Sequence, residues 1–420
     1  MSPRDPLAEA LREVPIPEPA GTEERGRRIV EAAFAERTTS AQVGPSELWG
    51  ARTPKTSERR SRRPLPRLAL GLGLATLLAA LLLSPAGASV RGWVDDVFTA
   101  TTPRPEPTLG EIPGGGRLLI QSAAGPWVVQ PDGSRRLLGD YEEATWSPRG
   151  LYVGVAEGRT LSAVEPGGTP HWSFTAPARV SDQRWAPFGT RIAYRSGQTL
   201  RVIAGDGTED RMVAGSSAQI TPAWSPLGDP TLAYVSGAGA LRLVNSESLA
   251  DLAAAPALDD VAEIEWAAGG KSILEASRQA LRLREVQPRK LQPHPAIEFT
   301  HSLPVPAGAT VVDAALAPEQ ETVAAVLTDW RDHGTRSSVV VYGPGETKPQ
   351  RLLTVPGSLG EIAWSPDGRK LLVTWPAVDQ WLFLPLGRGR ESAVANISRA
   401  FAPGGRAASF PRVDGWCCQR

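Results

Sequence analysis

The sequence predicts an all-β propeller. Three observations lead there: a short motif that recurs along most of the chain, the near-constant spacing of its copies, and the turn chemistry inside each copy. The clearest copy runs Ile362-Ala363-Trp364-Ser365-Pro366-Asp367-Gly368-Arg369-Lys370-Leu371-Leu372-Val373. A strand ending in Trp meets Ser-Pro-Asp-Gly, where Pro presets φ to about −65° and Gly accepts positive φ, so the chain reverses into a second apolar strand. Each copy is therefore a hairpin.

Related copies are Thr145-Trp146-Ser147-Pro148-Arg149-Gly150, Arg184-Trp185-Ala186-Pro187-Phe188-Gly189, Ala223-Trp224-Ser225-Pro226-Leu227-Gly228 and Glu265-Trp266-Ala267-Ala268-Gly269-Gly270. Weaker ones are Ala315-Leu316-Ala317-Pro318-Glu319-Gln320 and Ala400-Phe401-Ala402-Pro403-Gly404-Gly405. Successive anchors Trp146, Trp185, Trp224, Trp266, Leu316, Trp364 and Phe401 stand roughly 37–50 residues apart, close to the about 40–45 residues that four short strands of a blade occupy. An aromatic at the same place in each repeat is what packing between blades requires, so the tryptophans are expected in the core.

Before the first Trp copy lie three strands, Arg117–Ile120, Trp127–Gln130 and Arg135–Leu138, with no Trp strand of their own. The segment Ile397-Ser398-Arg399-Ala400-Phe401 is expected to supply it, closing the ring by mixing both termini in one blade and giving seven blades. Six blades are the alternative, because Leu109-Gly110-Glu111-Ile112 matches Leu359-Gly360-Glu361-Ile362 and could be an inner strand itself.

The remainder of the chain divides around this domain. Residues 1–64 read as a cytoplasmic segment with one short amphipathic helix over Glu23 to Arg37, on which Ile29, Val30, Ala33 and Phe34 fall near one face. That helix is either a loosely ordered part of a tether or a docking element whose Ile29, Val30 and Phe34 enter a partner's groove. Residues 65–90 read as a transmembrane signal-anchor helix. Its uncharged run from Leu68 to Val90 reaches roughly the ~30 Å of a bilayer core, and Arg59, Arg60, Arg62, Arg63 and Arg67 before it keep the amino side in the cytoplasm. Ala86-Gly87-Ala88 resembles a signal-peptide cleavage site, but the charged leader is far longer than signal peptides carry. Residues 91–108 form a Pro/Thr-rich stalk, 109–413 the propeller and 414–420 a tail.

With 45 Lys plus Arg against 45 Asp plus Glu, the chain lacks the basic balance of a nucleic-acid binder. Cys417 and Cys418 are its only cysteines and stand side by side, so paired Cys-x-x-Cys zinc spacing is absent. They are a reduced pair, a disulfide between neighbours, or partners in an intermolecular bond.

The Trp-Ser-Pro-Asp-Gly-Arg-Lys-Leu-Leu-Val run, followed by strands such as Leu200-Arg201-Val202-Ile203-Ala204-Gly205-Asp206-Gly207, resembles the WD-like repeat of TolB-like β-propeller proteins, in a membrane-anchored bacterial, actinobacterial-type form. The resemblance covers roughly Leu109 to Val413. It implies Trp strands nearest the propeller axis and leaves activity open, since such propellers bind proteins, accompany hydrolase domains or act as sensors. Leu316 and Phe401 depart from its Trp pattern.

Little in the chain points to catalysis. His171, His294, His301 and His333 fall in different repeats, and no His-Glu-x-x-His, Gly-x-Ser-x-Gly or phosphate-loop motif occurs. The expectation is a protein that is not an enzyme, with no cofactor and no metal. Asp132-Gly133, Asp206-Gly207 and Asp367-Gly368 lack the alternating acids of a calcium loop and read as tight turns. Two insertions widen the spacing around Leu316. One is the basic, Pro-rich stretch Gln287 to Pro295. The other places Trp330, Arg331, Asp332 and His333 on one loop, a candidate ligand or partner site, or else a variable surface loop with internal ion pairing.

The expected function is a membrane-anchored extracytoplasmic binding module or scaffold. Its partners would be a protein or envelope ligand, the lipid bilayer and, in the cytoplasm, a regulator. The alternative is a transmembrane sensor whose Ile29/Phe34 helix contacts a signalling or transcription regulator such as a sigma factor, although no His-x-x-x-Cys-x-x-Cys signature is present.

Overall fold

Each Ser-Pro copy forms the hairpin expected of it. At Ser365 the amide donates to Lys370 O (2.9 Å), Gly368 N closes the turn on Ser365 O (2.8 Å), and the Ser365 hydroxyl donates to Asp367 Oδ1 (2.6 Å). Gly368 takes φ 66°, which only glycine adopts at no steric cost. The same two backbone bonds recur at Ser147, Ala186 and Ala267, so the turn survives loss of the serine. At Asp132, Asp206 and Asp367 the carboxylate accepts from the amide two residues on, an Asx turn within a hairpin.

The computed structural model describes residues 109–287, 296–331, 334–402 and 409–418. They form seven four-stranded antiparallel sheets, one per blade. The first blade orders β28 (Arg412–Cys417), β1 (Arg117–Ser122), β2 (Gly125–Val129) and β3 (Arg135–Leu137). The next run from β4 (Glu143–Trp146) to β7 (Pro170–Thr175), from β8 (Val180–Trp185) to β11 (Arg211–Ala214), and from β12 (Ala223–Trp224) to β15 (Asp251–Pro256). The last three run from β16 (Val261–Trp266) to β19 (Ala296–Leu303), from β20 (Ala309–Leu316) to β23 (Gln350–Pro356), and from β24 (Ile362–Trp364) to β27 (Ser392–Ala395). The inner strands touch in a closed cycle, β4 to β8, β12, β16, β20, β24, β28 and back to β4. This is a seven-bladed propeller.

Its core lies between blades. Trp185 packs with Ala156, Leu161 and Ala163 of the preceding blade, and Trp266 with Ala233 and Leu243 of the blade before it. Trp185, Trp224, Trp266 and Trp364 are buried, while Trp146 is half-buried. The indole also ties blades together. Trp224 Nε1 donates to Arg184 O (3.0 Å), Trp266 Nε1 to Ala223 O (3.1 Å) and Trp364 Nε1 to Ala315 O (3.0 Å), in each case the residue before the anchor of the preceding blade.

The ring closes as expected in kind, three amino-terminal strands plus one carboxy-terminal strand, but with a different segment. Ile397–Ala400 is a short helix, α1, and Phe401 sits in the core against Trp127 and Trp381. The closing strand is β28, whose Trp416 is the seventh anchor. Its indole donates to Gly115 O (2.7 Å) and Arg117 pairs with Cys417 across the sheet. Residues 414–417, expected in a tail, belong to this strand. Ala402-Pro403-Gly404 imitated the turn, whereas Gly415-Trp416-Cys417 needs no hairpin turn after it, because the strand paired beside it is β1. Leu109–Ile112 forms no strand. Ile112 is buried and its amide donates to Pro131 O (2.7 Å). Among the described residues no helix is long and apolar enough to cross a membrane. The expected anchor at 65–90, the stalk and the Ile29, Val30, Phe34 face lie outside them.

Candidate functional site

The inner strands line a central channel, and acids line the strands. Glu143, Asp182, Glu263, Asp313 and Glu361 each stand three residues before their blade's anchor, Asp414 stands two before Trp416, and Glu265 directly precedes Trp266. Three of them stitch one blade to the next. Glu143 Oε2 accepts from Asp182 N (2.8 Å), Glu265 Oε2 from Leu316 N (2.7 Å) and Asp313 Oδ2 from Ile362 N (2.8 Å). Within blades, Glu361 accepts from Thr374 Oγ1 (2.8 Å), Arg412 Nε reaches Asp414 Oδ1 (2.7 Å) and Arg195 Nη1 reaches Asp182 Oδ2 (2.8 Å).

Crowding these carboxyls in the channel changes their acidity. Burial raises Asp313 to about 7, and the neighbouring Glu361 and Glu265 charges push the same way. Burial likewise raises Glu143, Glu265 and Asp414, each opposed by hydrogen bonds or a nearby guanidinium. Glu263 is raised as well, held up by burial and by the Asp313 and Glu265 charges, with Arg184 working against them. Desolvation is the common cause.

Two of the channel groups remain uncommitted. Among the described residues, neither the Glu263 carboxyl nor the Arg184 guanidinium makes a hydrogen bond or ion pair. Both line a cavity of about 520 Å³, together with Thr221, Arg278, Val312 and Asp313, at the end of the channel where the inner strands begin. Val312 is exposed there. Arg184 also lines a second cavity of about 500 Å³ at the opposite mouth, with Trp146, Pro148, Pro366, Asp414 and Trp416.

The Trp330 hairpin rises beside the first cavity. Strands β21 (Val323–Arg331) and β22 (Gly334–Tyr342) are the longest of their blade, and Ala309, the residue before cavity-lining Thr310, pairs with Asp329. Trp330 follows at once, paired with Thr335 and 78% exposed. Arg331 pairs with Gly334 through the backbone, while Asp332 and His333 lie outside the described residues. His171 stacks on Tyr152 (4.7 Å between rings), and His301 sits in another blade, so these two do not meet.

The channel acids went unread in the sequence, although an acid three residues before successive anchors was a visible signal. The tryptophans mask it, because the apolar register of each strand draws the eye to the face that packs between blades.

No family model matches the chain, and no curated protein matches it. Solved structures do, 1376 chains of them, a breadth that marks an architecture shared by unrelated activities. The crystal structure of the Myceliophteria thermophila Cps50 (Swd1) β-propeller domain is 14% identical, with TM-score 0.51, over 65% of this chain and 95% of that one. KlHsv2 with loop 6CD replaced by a Gly-Ser linker is 11% identical, with TM-score 0.47, over 66% and 92%. Kuenenia stuttgartiensis hydrazine synthase is 12% identical, with TM-score 0.45, over 58% and 76%. The chain thus has a seven-bladed β-propeller fold, an architecture it shares with the Cps50 (Swd1) β-propeller domain. The expectation that it is not an enzyme is corrected by the presence of an enzyme, hydrazine synthase, among the similar structures. At 12% identity that likeness concerns the fold alone and names no reaction.

Proposed function

We propose that this chain is a membrane-anchored, extracytoplasmic propeller of TolB-like type that binds a protein or envelope ligand and serves as a scaffold for it. The propeller fold is consistent with a protein-binding module. The observation that carries the reading is the mouth beside Trp330. An uncommitted carboxyl on Glu263 and an uncommitted guanidinium on Arg184 line one cavity of about 520 Å³, and the exposed Trp330 indole belongs to the neighbouring hairpin, whose Asp329 pairs with Ala309 next to cavity-lining Thr310. Aromatic and Arg groups of this kind anchor interfaces, and a carboxyl without a partner favours a hydrogen-bond donor or cation on the incoming ligand. The basic cluster and apolar run of residues 59–90 support the anchoring half of the proposal.

A second reading makes the protein a transmembrane sensor. It is favoured by the Ile29, Val30, Phe34 face, which would lie across the membrane from the propeller and could engage a cytoplasmic regulator.

Cross-linking in intact cells separates the two. Full-length protein, a form lacking residues 2–50, and the variants Trp330→Ala and Glu263→Gln are pulled down and their partners identified by mass spectrometry. The scaffold reading expects the same envelope partners with and without residues 2–50, reduced at least several-fold by Trp330→Ala. A cytoplasmic regulator captured only by the full-length form favours the sensor. Undiminished capture by both point variants refutes the assignment of the binding site.

A further inference from the structure

The carboxy terminus carries chemistry that partner binding does not use. Cys417 and Cys418 are joined to each other in a disulfide. A bond between adjacent residues closes almost no loop, so by the loop-entropy relation it contributes little to stability and does not staple β28 to the rest of the ring. Strand pairing with β1 and the Trp416 indole already do that. The position of the sulfurs is more telling. Cys417 Sγ lies 3.9 Å from Ser147 O and Cys418 Sγ 3.6 Å from Pro148 O, on the turn that ends the next blade's inner strand. Gly150 in that turn is the floor beneath them. A Cβ added there would stand 3.0 Å from Cys418 Sγ and 3.2 Å from Cys417 Sγ, and closer still to Arg117 Nη2.

Three distant segments thus bring a guanidinium and two sulfurs to one point. Arg117 is the cross-strand partner of Cys417, donates to Gly150 O (2.6 Å) and lies over the Trp146 ring (4.9 Å). A fixed cation beside partly exposed sulfur favours the thiolate over the thiol, the setting in which cysteines are reactive. The sulfurs open onto the cavity of about 500 Å³ at the channel mouth opposite Trp330, a volume suited to a small molecule.

We propose that Cys417–Cys418 is a thiol–disulfide exchange site for low-molecular-weight thiols, with Arg117 as the positioning residue that stabilises the thiolate. An incoming thiolate attacks the more exposed Cys418 Sγ, forming a mixed disulfide and releasing Cys417 as a thiolate beside Arg117. A second thiolate then attacks the small molecule's sulfur in that mixed disulfide, releasing Cys418. The two external thiols leave as one disulfide, and the protein gains two electrons and two protons. Running backwards, the dithiol reduces a small disulfide.

The test uses full-length protein in detergent, equilibrated across mixtures of reduced and oxidised glutathione, quenched with N-ethylmaleimide and analysed by mass spectrometry. The expected result is a single transition from zero to two labelled cysteines, with no fall in melting temperature on reduction. Cys417→Ser should accumulate one glutathione on Cys418. In reduced protein, Arg117→Gln should slow labelling several-fold near neutral pH and move the half-maximal labelling pH upward, and Arg117→Lys should restore both. No labelling at saturating reduced glutathione, or a large loss of melting temperature on reduction, overturns the proposal. An Arg117→Gln profile identical to wild type removes Arg117 from it. The site lies at the other mouth from Trp330, so its failure leaves the binding reading untouched.

Discussion

Trp185 and Trp224 hold the same place in adjacent blades and are each 6% exposed, yet they differ in one atom's surroundings. Trp224 Nε1 donates to Arg184 O at 3.0 Å, while Trp185 Nε1 is buried with no hydrogen-bond partner. Replacing each by Phe deletes a similar part of the ring from a similar interface, so the cavity costs largely cancel between the two variants. What remains is the hydrogen bond. Trp224→Phe leaves the Arg184 carbonyl without its donor, at about 1–3 kcal/mol. Trp185→Phe removes an N–H that was already unsatisfied and so recovers part of its burial cost. Trp224→Phe should therefore be less stable than Trp185→Phe by about 1–3 kcal/mol. Urea unfolding followed by circular dichroism reads the difference as a lower midpoint at unchanged slope. Equal midpoints, or the reverse order, would refute the view that the indole acts as a polar hook between blades as well as an apolar wedge.

Other perturbations probe the rest of the ring. Ending the chain at Phe410 removes β28 and exposes the β1 edge, so the protein should lose its cooperative thermal transition and associate on gel filtration, whereas removing only residues 419–420 should change neither. Asp313 has its folded-state pKa raised to about 7 from 3.8, so the stability it contributes is complete below the unfolded value and is lost as pH rises through about 7. Asp313→Asn, which keeps an acceptor for Ile362 N, should thus match wild type near about pH 4 and exceed it near about pH 8 by about 4 kcal/mol, measured as a flatter melting temperature against pH. Glu275 is fully buried and accepts from Arg284 Nε (3.0 Å), itself 8% exposed; Glu275→Ala strands that cation and should cost about 3–5 kcal/mol in urea unfolding.

The acids of the channel show why physical role and sequence pattern diverge. Glu143, Glu265 and Asp313 act as acceptors for amides thirty-nine to fifty-one positions away in sequence, in the next blade. Nothing local in a strand such as Val261–Trp266 distinguishes an acid that stitches, like Glu265, from one that faces a cavity, like Glu263. The distinction depends on which backbone amide the neighbouring blade presents.

Sequence by itself determined the repeat, the hairpin turn and the propeller. Pro, Gly and the anchor Trp act within a few residues of one another, and a repeat of this length can bury its apolar face only against copies of itself. It also determined that both termini share the closing blade. Which segment closes that blade was decided by tertiary structure, because Ile397–Phe401 and Arg412–Cys417 both bring an aromatic to the end of the chain, and only the second also sets Trp416 against Gly115 and Cys417 opposite Arg117. The same is true of the two channel mouths. Glu263 with Arg184, and Arg117 with Gly150 and the paired cysteines, are neighbours only because the ring closes, and closure is a property of all seven blades together rather than of any one repeat.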